Sequence, residues 1–357
     1  MGRRRSNSLF MPVRKRRGGC LLILLLLIAA LIILLSLNAL SNRYVRLEER
    51  PITVLNLPKK LEGFKILHLS DLNGATLGQG HENLKKALGK ERYQAVVLTG
   101  DMVGKGGKFK PLLDLLALFP KDVPVFLLPG DSDPAPLIED PHGTGEVKAD
   151  YILQAEQMGA IFLEAPYKLE AGNQTIWFCP GETFTLDLKN AVFALEELIK
   201  SLSAQDNPYE AKTGAQLRYA KHRLSVMQAS LEAFSQMKTS DVIVALNHHP
   251  PDYGQLSELS VRSQEQNLPS PSLFLAGQFN NGQVRLPGLG PVYIPGQADG
   301  RGGWFPGDEG FTGLSIVKGY PVYISPGLGI SSYYLLPLRL FNRPAATLIQ
   351  LTSKMTR

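Results

Sequence analysis

Five short loops carry most of the side chains in this sequence that could do chemistry. They are Ser70-Asp71-Leu72-Asn73, Thr99-Gly100-Asp101, Pro129-Gly130-Asp131-Ser132-Asp133, Asn247-His248-His249-Pro250 and Gly277-Gln278-Phe279-Asn280. Each follows an apolar run with the composition of a buried strand, and each places an oxygen or nitrogen donor where strand gives way to loop. Carboxylates suit divalent cations, and a histidine nitrogen adds a softer donor to such a set. Hydrolysis by two metal ions needs ligands converging on a pair of cations roughly 3.5–4 Å apart, with a shared carboxylate and a water. No single helix can supply that set, whereas the carboxyl ends of several strands can.

The elements that must position these loops read as alternating strands and helices. Apolar runs at 64–69, 95–98, 125–128, 160–162, 175–178, 242–246, 273–276, 314–317, 322–325 and 347–351 read as strands. Amphipathic stretches at 82–88, 111–119 and 149–158 read as helices. The stretch 188–237 differs in texture: it is rich in Ala, Leu, Glu, Lys and Gln and has Gly214 as its only glycine. It reads as a helical insertion of two helices broken near Asp206-Asn207-Pro208, since proline resists a helix interior. A solvated cover over the sheet is its plain reading, and a lid that binds a partner its sharper one. Dense Pro and Gly punctuation between 286 and 329 predicts long ordered loops.

The net charge of +6 misleads, because Arg3, Arg4, Arg5, Arg14, Lys15, Arg16 and Arg17 precede any acidic residue; without them the chain sums to −1. The basic character belongs to an N-terminal arm (1–20), which argues against a nucleic-acid groove on the folded domain. Residues 21–40 are uncharged and reach the roughly 30 Å of a bilayer core at about 1.5 Å per residue. They read as a transmembrane helix with the arm cytoplasmic and the domain extracytoplasmic. A cleaved signal peptide is the alternative, disfavoured by the length of the run and by the poor cleavage site at Asn38-Ala39-Leu40-Ser41. Residues 41–60 read as a linker and 61–352 as the domain. Cys20 and Cys179 fall on opposite sides of the span in this topology and cannot pair.

In order and spacing the five loops resemble the calcineurin-like metallophosphoesterases, whose pattern is D-x-H, G-D, G-N-H-[DE], a later H before x-P, and G-H-x-H. The resemblance covers about residues 61–352. It extends to small membrane-associated bacterial phosphoesterases through Gly282-Gln283-Val284-Arg285-Leu286-Pro287, Tyr323-Ile324-Ser325-Pro326-Gly327-Leu328-Gly329 and Pro337-Leu338-Arg339. It implies an α/β fold, a four-layer sandwich of two mixed β-sheets flanked by helices. It also implies that Asp71 and Asp101 are metal ligands, Asp101 as the bridge, and that His248 is the histidine ligand of its strand. Asn73, Gln278 and Asn280 stand where the family has ligand histidines. Asp131 replaces an asparagine that binds metal and substrate, and Ser132 replaces the histidine that assists the leaving group.

The resulting set of Asp71, Asn73, Asp101, Asp131, His248, Gln278 and Asn280 is rich in oxygen. It implies Mn, Mg or Ca as the divalent metal and disfavours zinc. Two functions remain open. One is a membrane-anchored hydrolase of a phosphomonoester or phosphodiester. The other is an inactive relative that binds a phosphorylated small molecule, an envelope lipid headgroup or a protein partner. Taken singly, Asp71, Asp101 and Asp133 could also be loop caps that bind backbone amides, and His248-His249 a loop pair without a ligand role. His68, inside a strand run, reads as a core or sheet-face residue, and His81, His142 and His222 fall outside every motif.

Overall fold

The computed structural model describes residues 18–140, 145–205, 210–266, 269–297, 299–334 and 336–355, with side chains from residue 21 on and not for 264–266. The seven cations of the basic arm, His142 and the Asn207-Pro208 break lie outside the described residues, as does the side chain of Cys20. The chain forms two units, 1–41 and 42–357. In the first, helix α1 (Gly18–Asn42) is long and apolar enough to cross a membrane over Leu21–Asn42, a property that a signal sequence shares.

The second unit holds two six-stranded mixed sheets. The first sheet takes β1 (Arg46–Thr53), β2 (Lys65–Leu69), β3 (Ala95–Thr99), β4 (Val125–Leu128) and β5 (Ala160–Phe162). The second begins with β6 (Tyr167–Ala171) and β7 (Gln174–Pro180), a hairpin around Gly172-Asn173, and continues with β8 (Val242–Leu246) and β9 (Leu273–Ala276). Four two-residue strands then pair as small antiparallel ladders: β10 (Arg285–Leu286) with β11 (Gly290–Pro291), and β12 (Tyr293–Ile294) with β13 (Gly303–Trp304). Last come β14 (Gly313–Val317), β15 (Tyr320–Ile324) and β16 (Ala345–Thr352). The strand orders are β1-β16-β2-β3-β4-β5 and β14-β15-β9-β8-β7-β6.

Within the first sheet β2, β3, β4 and β5 are parallel, as are β7, β8 and β9 in the second. Parallel strands buried on both faces need near-continuous apolar sequence. Ala95–Thr99 and Val242–Leu246 meet that need and are buried throughout. Their side chains alternate between two cores. Between the sheets, Ile66, Val97, Phe126, Phe178, Val244, Leu275 and Ile349 pack together, with Phe126 stacked on Phe178 at 4.4 Å between ring centroids. On the outer face of the first sheet, Leu67, Leu69, Val96 and Leu98 meet Leu84, Leu115 and Ile152 of helices α2 (Glu82–Leu88), α3 (Lys110–Leu116) and α4 (Asp150–Gln157). Emptying such a position, as in Phe126→Ala, costs about 3–5 kcal/mol.

The stretch read as a linker contains β1, which runs parallel to β16 in the register Arg46↔Ala345 through Thr53↔Thr352. Its sequence, RLEERPIT, hides a strand because it is polar. As an edge strand it needs few apolar contacts, Ile52 and the partly buried Leu47, and the exposed Arg46 and Arg50 both pair with the more sheltered Glu48. The helical insertion folds as α5 (Leu188–Ser203) and α6 (Ala211–Gln236), two helices packed on each other. Asp187 caps α5 by accepting from the Asn190 amide at 3.1 Å. A seventh helix, α7 (Tyr253–Gln266), follows the His248 loop and has no counterpart in the sequence reading.

Candidate metal centre

The parallel strands β2, β3 and β4 of one sheet and β8 and β9 of the other release their loops toward a common point. Asp71 stands two residues past β2, Asp101 two past β3, Asp131 three past β4, His248 two past β8, and Gln278 and Asn280 two and four past β9. Hydrogen bonds between loops fix their approach. The Asp71 amide donates to the Gly100 carbonyl at 3.0 Å, the Asn73 amide to the Asp101 carbonyl at 2.7 Å, and the Gly277 amide to the His248 carbonyl at 3.0 Å. The approach leaves no room for side chains at Gly100 or Gly130. A Cβ at Gly100 would lie 2.4 Å from His248 Nδ1, and one at Gly130 would lie 2.2 Å from Asp101 Oδ1.

Five of the candidate ligands have left-handed backbone: Asp71 at φ 54°, Asn73 at 51°, Asp101 at 53°, Gln278 at 83° and Asn280 at 46°. Asp and Asn tolerate this region better than other residues with a Cβ. The turns bring Asp71 and Asp101 into contact with the loops opposite, Asp71 with Gln278 and Asn280 and Asp101 with Ser132 and His248.

Asp71, Asp101 and His248 each offer one ligand atom, and these atoms lie within 4.8 Å of one another. All three are buried, at 0%, 1% and 6% exposure. His248 Nδ1 lies 2.9 Å from the Thr99 carbonyl, which can only accept, so Nδ1 carries a proton and Nε2 faces Asp101 Oδ1 at 3.3 Å. Metal-binding histidines commonly hold their second nitrogen in this way. Asp71 Oδ2 accepts from Ser70 Oγ at 2.5 Å and from the Gln278 amide at 3.2 Å, and its Oδ1 accepts from Asn280 Nδ2 at 3.2 Å. Asp101 Oδ1 accepts from the Ser132 amide at 2.9 Å.

Burial pushes the Asp71 carboxyl up to about 7, opposed by His248 and reinforced by the Asp101 charge. His248 moves the other way from what its burial alone would give: Asp101 and Asp131 hold its imidazole well above the usual histidine range. Asp131, exposed at the rim, is held well below the carboxylate range by the hydrogen bonds of His248 and His249, which outweigh its desolvation. Both of those contacts are 3.1 Å, from His248 Nε2 to Oδ1 and from His249 Nε2 to Oδ2.

The loops fit a cation on the evidence of their unpaired oxygens. Ser132 Oγ, Gln278 Oε1 and Asn280 Oδ1 are buried without a partner among the described residues. Each such atom costs about 1–3 kcal/mol unless something other than protein satisfies it. A cation with its water does so, and the neighbouring carboxylates supply the charge it needs. The remaining expected residues stand differently. Asn73 turns its amide back onto the Asp71 carbonyl at 3.2 Å. Asp131 lies at the exposed rim, outside the three-residue cluster. Asp133 caps backbone amides: its Oδ1 accepts from Val103 and Gly104 at 2.7 and 2.8 Å, its Oδ2 from Gly130 at 2.9 Å.

Three supporting residues were not assigned roles from sequence. His249 reaches Asp131 from the rim. Arg339 is fully buried behind Asp71 and donates to the carbonyls of Gly329, Pro326 and Asn342. Its burial lowers its pKa to about 10, opposed by the Asp71 charge. Asn342 Nδ2 holds the Asn280 carbonyl at 2.8 Å. The Pro337-Leu338-Arg339 segment was the available signal for the second of these. His68 is a core residue, as read, with Nε2 at 2.8 Å from Thr99 Oγ1 and a pKa pushed down to about 3 by burial.

The loops, the sheets and their order define a member of a known family. The model of the calcineurin-like phosphoesterases matches residues 64–277, and the chain belongs to that family. Among solved structures, the phosphopantetheinyl hydrolase PptH from Mycobacterium tuberculosis matches over 73% of this chain and 88% of its own, at 13% identity and a TM-score of 0.34. No curated protein matches. The family uses divalent metals to hydrolyse phosphoesters, and the Asp71–Asp101–His248 cluster is a possible site for such an ion here.

Proposed function

We propose that this chain is a membrane-anchored, metal-dependent hydrolase of a phosphomonoester or phosphodiester, with its domain on the extracytoplasmic side. The observation that carries the reading is the convergence of Asp71, Asp101 and His248, on loops that also carry the unpaired buried oxygens of Ser132, Gln278 and Asn280. Asp71, Asp101 and His248 would hold the metal, with the amide oxygens of Gln278 and Asn280 as harder, weaker donors. The oxygen-rich set suits Mn, Mg or Ca better than zinc. When bound, the metal supplies an activated hydroxide and polarises the phosphoryl oxygens.

The chain's own residues do the rest. Asp101 sits between the loops of both sheets, where one carboxylate can serve two positions. His248 keeps Nε2 aimed at it through the Thr99 carbonyl. Asp131, with His249, forms the rim that a phosphoester meets first, and Ser132 offers a hydroxyl in place of an imidazole acid. The uncharged span after a basic arm supports the anchor and its orientation.

The test uses the full chain purified in detergent. Millimolar Mn raises its Tm and supports hydrolysis of 4-nitrophenyl phosphate or its bis ester, and protease added to spheroplasts removes the domain. Tightly held stoichiometric zinc overturns the metal assignment. A metal-dependent rise in Tm without turnover of either ester favours the non-hydrolysing domain that only binds.

A further inference from the structure

A cavity of about 600 Å³ opens beside the metal-ligating loops, and α6 forms its far wall. His248 and His249 line the near side, Phe162 and Leu163 the floor, and Tyr219 and Arg223 the helix side. Tyr219 and Arg223 are four residues apart and therefore share one face of α6. The helix is tied down around them: Arg218 donates to the Asp140 carbonyl at 3.1 Å, and His222 Nε2 lies 2.8 Å from Glu164 Oε1.

Arg223 is half-buried and makes no hydrogen bond or ion pair among the described residues. The other sequestered arginines all do: Arg218, Arg262, Arg285, Arg301 and Arg339 each donate to a carbonyl, a carboxylate or both. Glu164 and Glu182 line the same cavity, but neither pairs with Arg223 among the described residues, and His222 and Lys148 already face Glu164. Partial burial of an unpaired guanidinium is costly. Its planar fork matches a carboxylate or a phosphate.

From this placement we infer that Tyr219 and Arg223 form a specificity subsite for a second anionic group on the substrate. Arg223 pairs with the anion, and Tyr219 with the apolar floor takes the flat or aromatic frame that joins it to the phosphoryl group. The inference rests on the hydrolase reading for the position of that phosphoryl group. It gives the helical insertion a role in choosing among phosphoesters.

The test measures binding, so that it is read whether or not esters are turned over. Full-length protein with Mn is titrated calorimetrically with benzylphosphonate and with 4-carboxybenzylphosphonate, neither of which can be hydrolysed at an ester bond. The carboxylate-bearing ligand binds about 10-fold tighter or more, the range of one charge-assisted contact. Arg223→Gln brings the two affinities to within about twofold, and Arg223→Lys keeps part of the difference; Tm confirms that each variant folds. Equal affinities in the unaltered protein, a preference that survives Arg223→Gln, or no binding of either ligand overturns the inference. A preference that Arg223→Gln removes, together with inert phosphoesters, counts against the hydrolase reading alone.

Discussion

The inner end of the metal centre and its rim solve opposite electrostatic problems. At the inner end, Asp71, Asp101 and His248 are buried, and burial pushes Asp71 toward its neutral form. At the rim, Asp131 is exposed and already balanced by two imidazoles. The inner cluster therefore has the character of a possible cation site, whereas the rim is close to self-sufficient. On the proposed function, the difference separates groups that would bind the metal from groups that would meet and orient the phosphoester.

The largest effect is expected at the inner end. Asp101→Ala abolishes the Mn-dependent rise in Tm and lowers turnover of an aryl phosphoester by at least about 10²–10³-fold, on the scale of losing a preorganised charge-stabilising group. Differential scanning fluorimetry and a phosphate-release assay read the two effects. A variant that retains both would remove Asp101 from the centre.

A smaller effect appears in the pH dependence of stability without metal. The fold raises the Asp71 pKa from its ordinary 3.8 to about 7, so this group favours the fold while protonated. Its contribution is complete below about pH 4 and is lost as the pH climbs through 7. His248, also raised, reinforces that loss on the alkaline side. Asp131, held low, contributes above the ordinary carboxylate range and gives that up in strong acid. Chelator-treated protein should thus lose Tm as pH rises from about 4 to about 7. Asp71→Asn should flatten that slope, and millimolar Mn should reduce it by favouring the carboxylate.

The smallest effect belongs to the rim. His249→Ala removes one of the two imidazoles on Asp131 from a half-exposed site, where a charged pair contributes about 0–1 kcal/mol. It should change turnover by less than about fivefold and leave the Mn-dependent Tm shift in place. A loss as large as that of Asp101→Ala would erase the distinction between rim and inner end.

Much of this arrangement was legible because local sequence carries it. An apolar run ending in Asp or His is a strand that releases a ligand, and β4, β5, β8 and β9 fall at the residues read for them. Three kinds of feature were not legible. The polar edge strand β1 lacks an apolar run, since only Leu47 and Ile52 face a core. The roles of aspartates in one loop depend on backbone direction: Asp133 turns back to cap amides while Asp131 turns out to the imidazoles. Partners distant in sequence, such as Asn342 and Asn280 or Arg223 and the cavity beside His248, meet only once both sheets have formed.

The pairing of β1 with β16 has a consequence for how the chain acquires its shape. β16 lies between β1 and β2, buried along nearly its whole length, so the first sheet is missing an interior strand until residues 345–352 exist. Every earlier strand of that sheet can form its own crossover, but β1 has no neighbour to wait with except one from the far end of the sequence. Closing so long a loop makes this step late and slow relative to the local βαβ pairings. A ribosome stalled before residue 345 would hold a chain with an unpaired β1 and an open sheet edge at β2, each a template for pairing with another chain. Chaperone dependence during synthesis should therefore track the interval between emergence of β2 and emergence of β16.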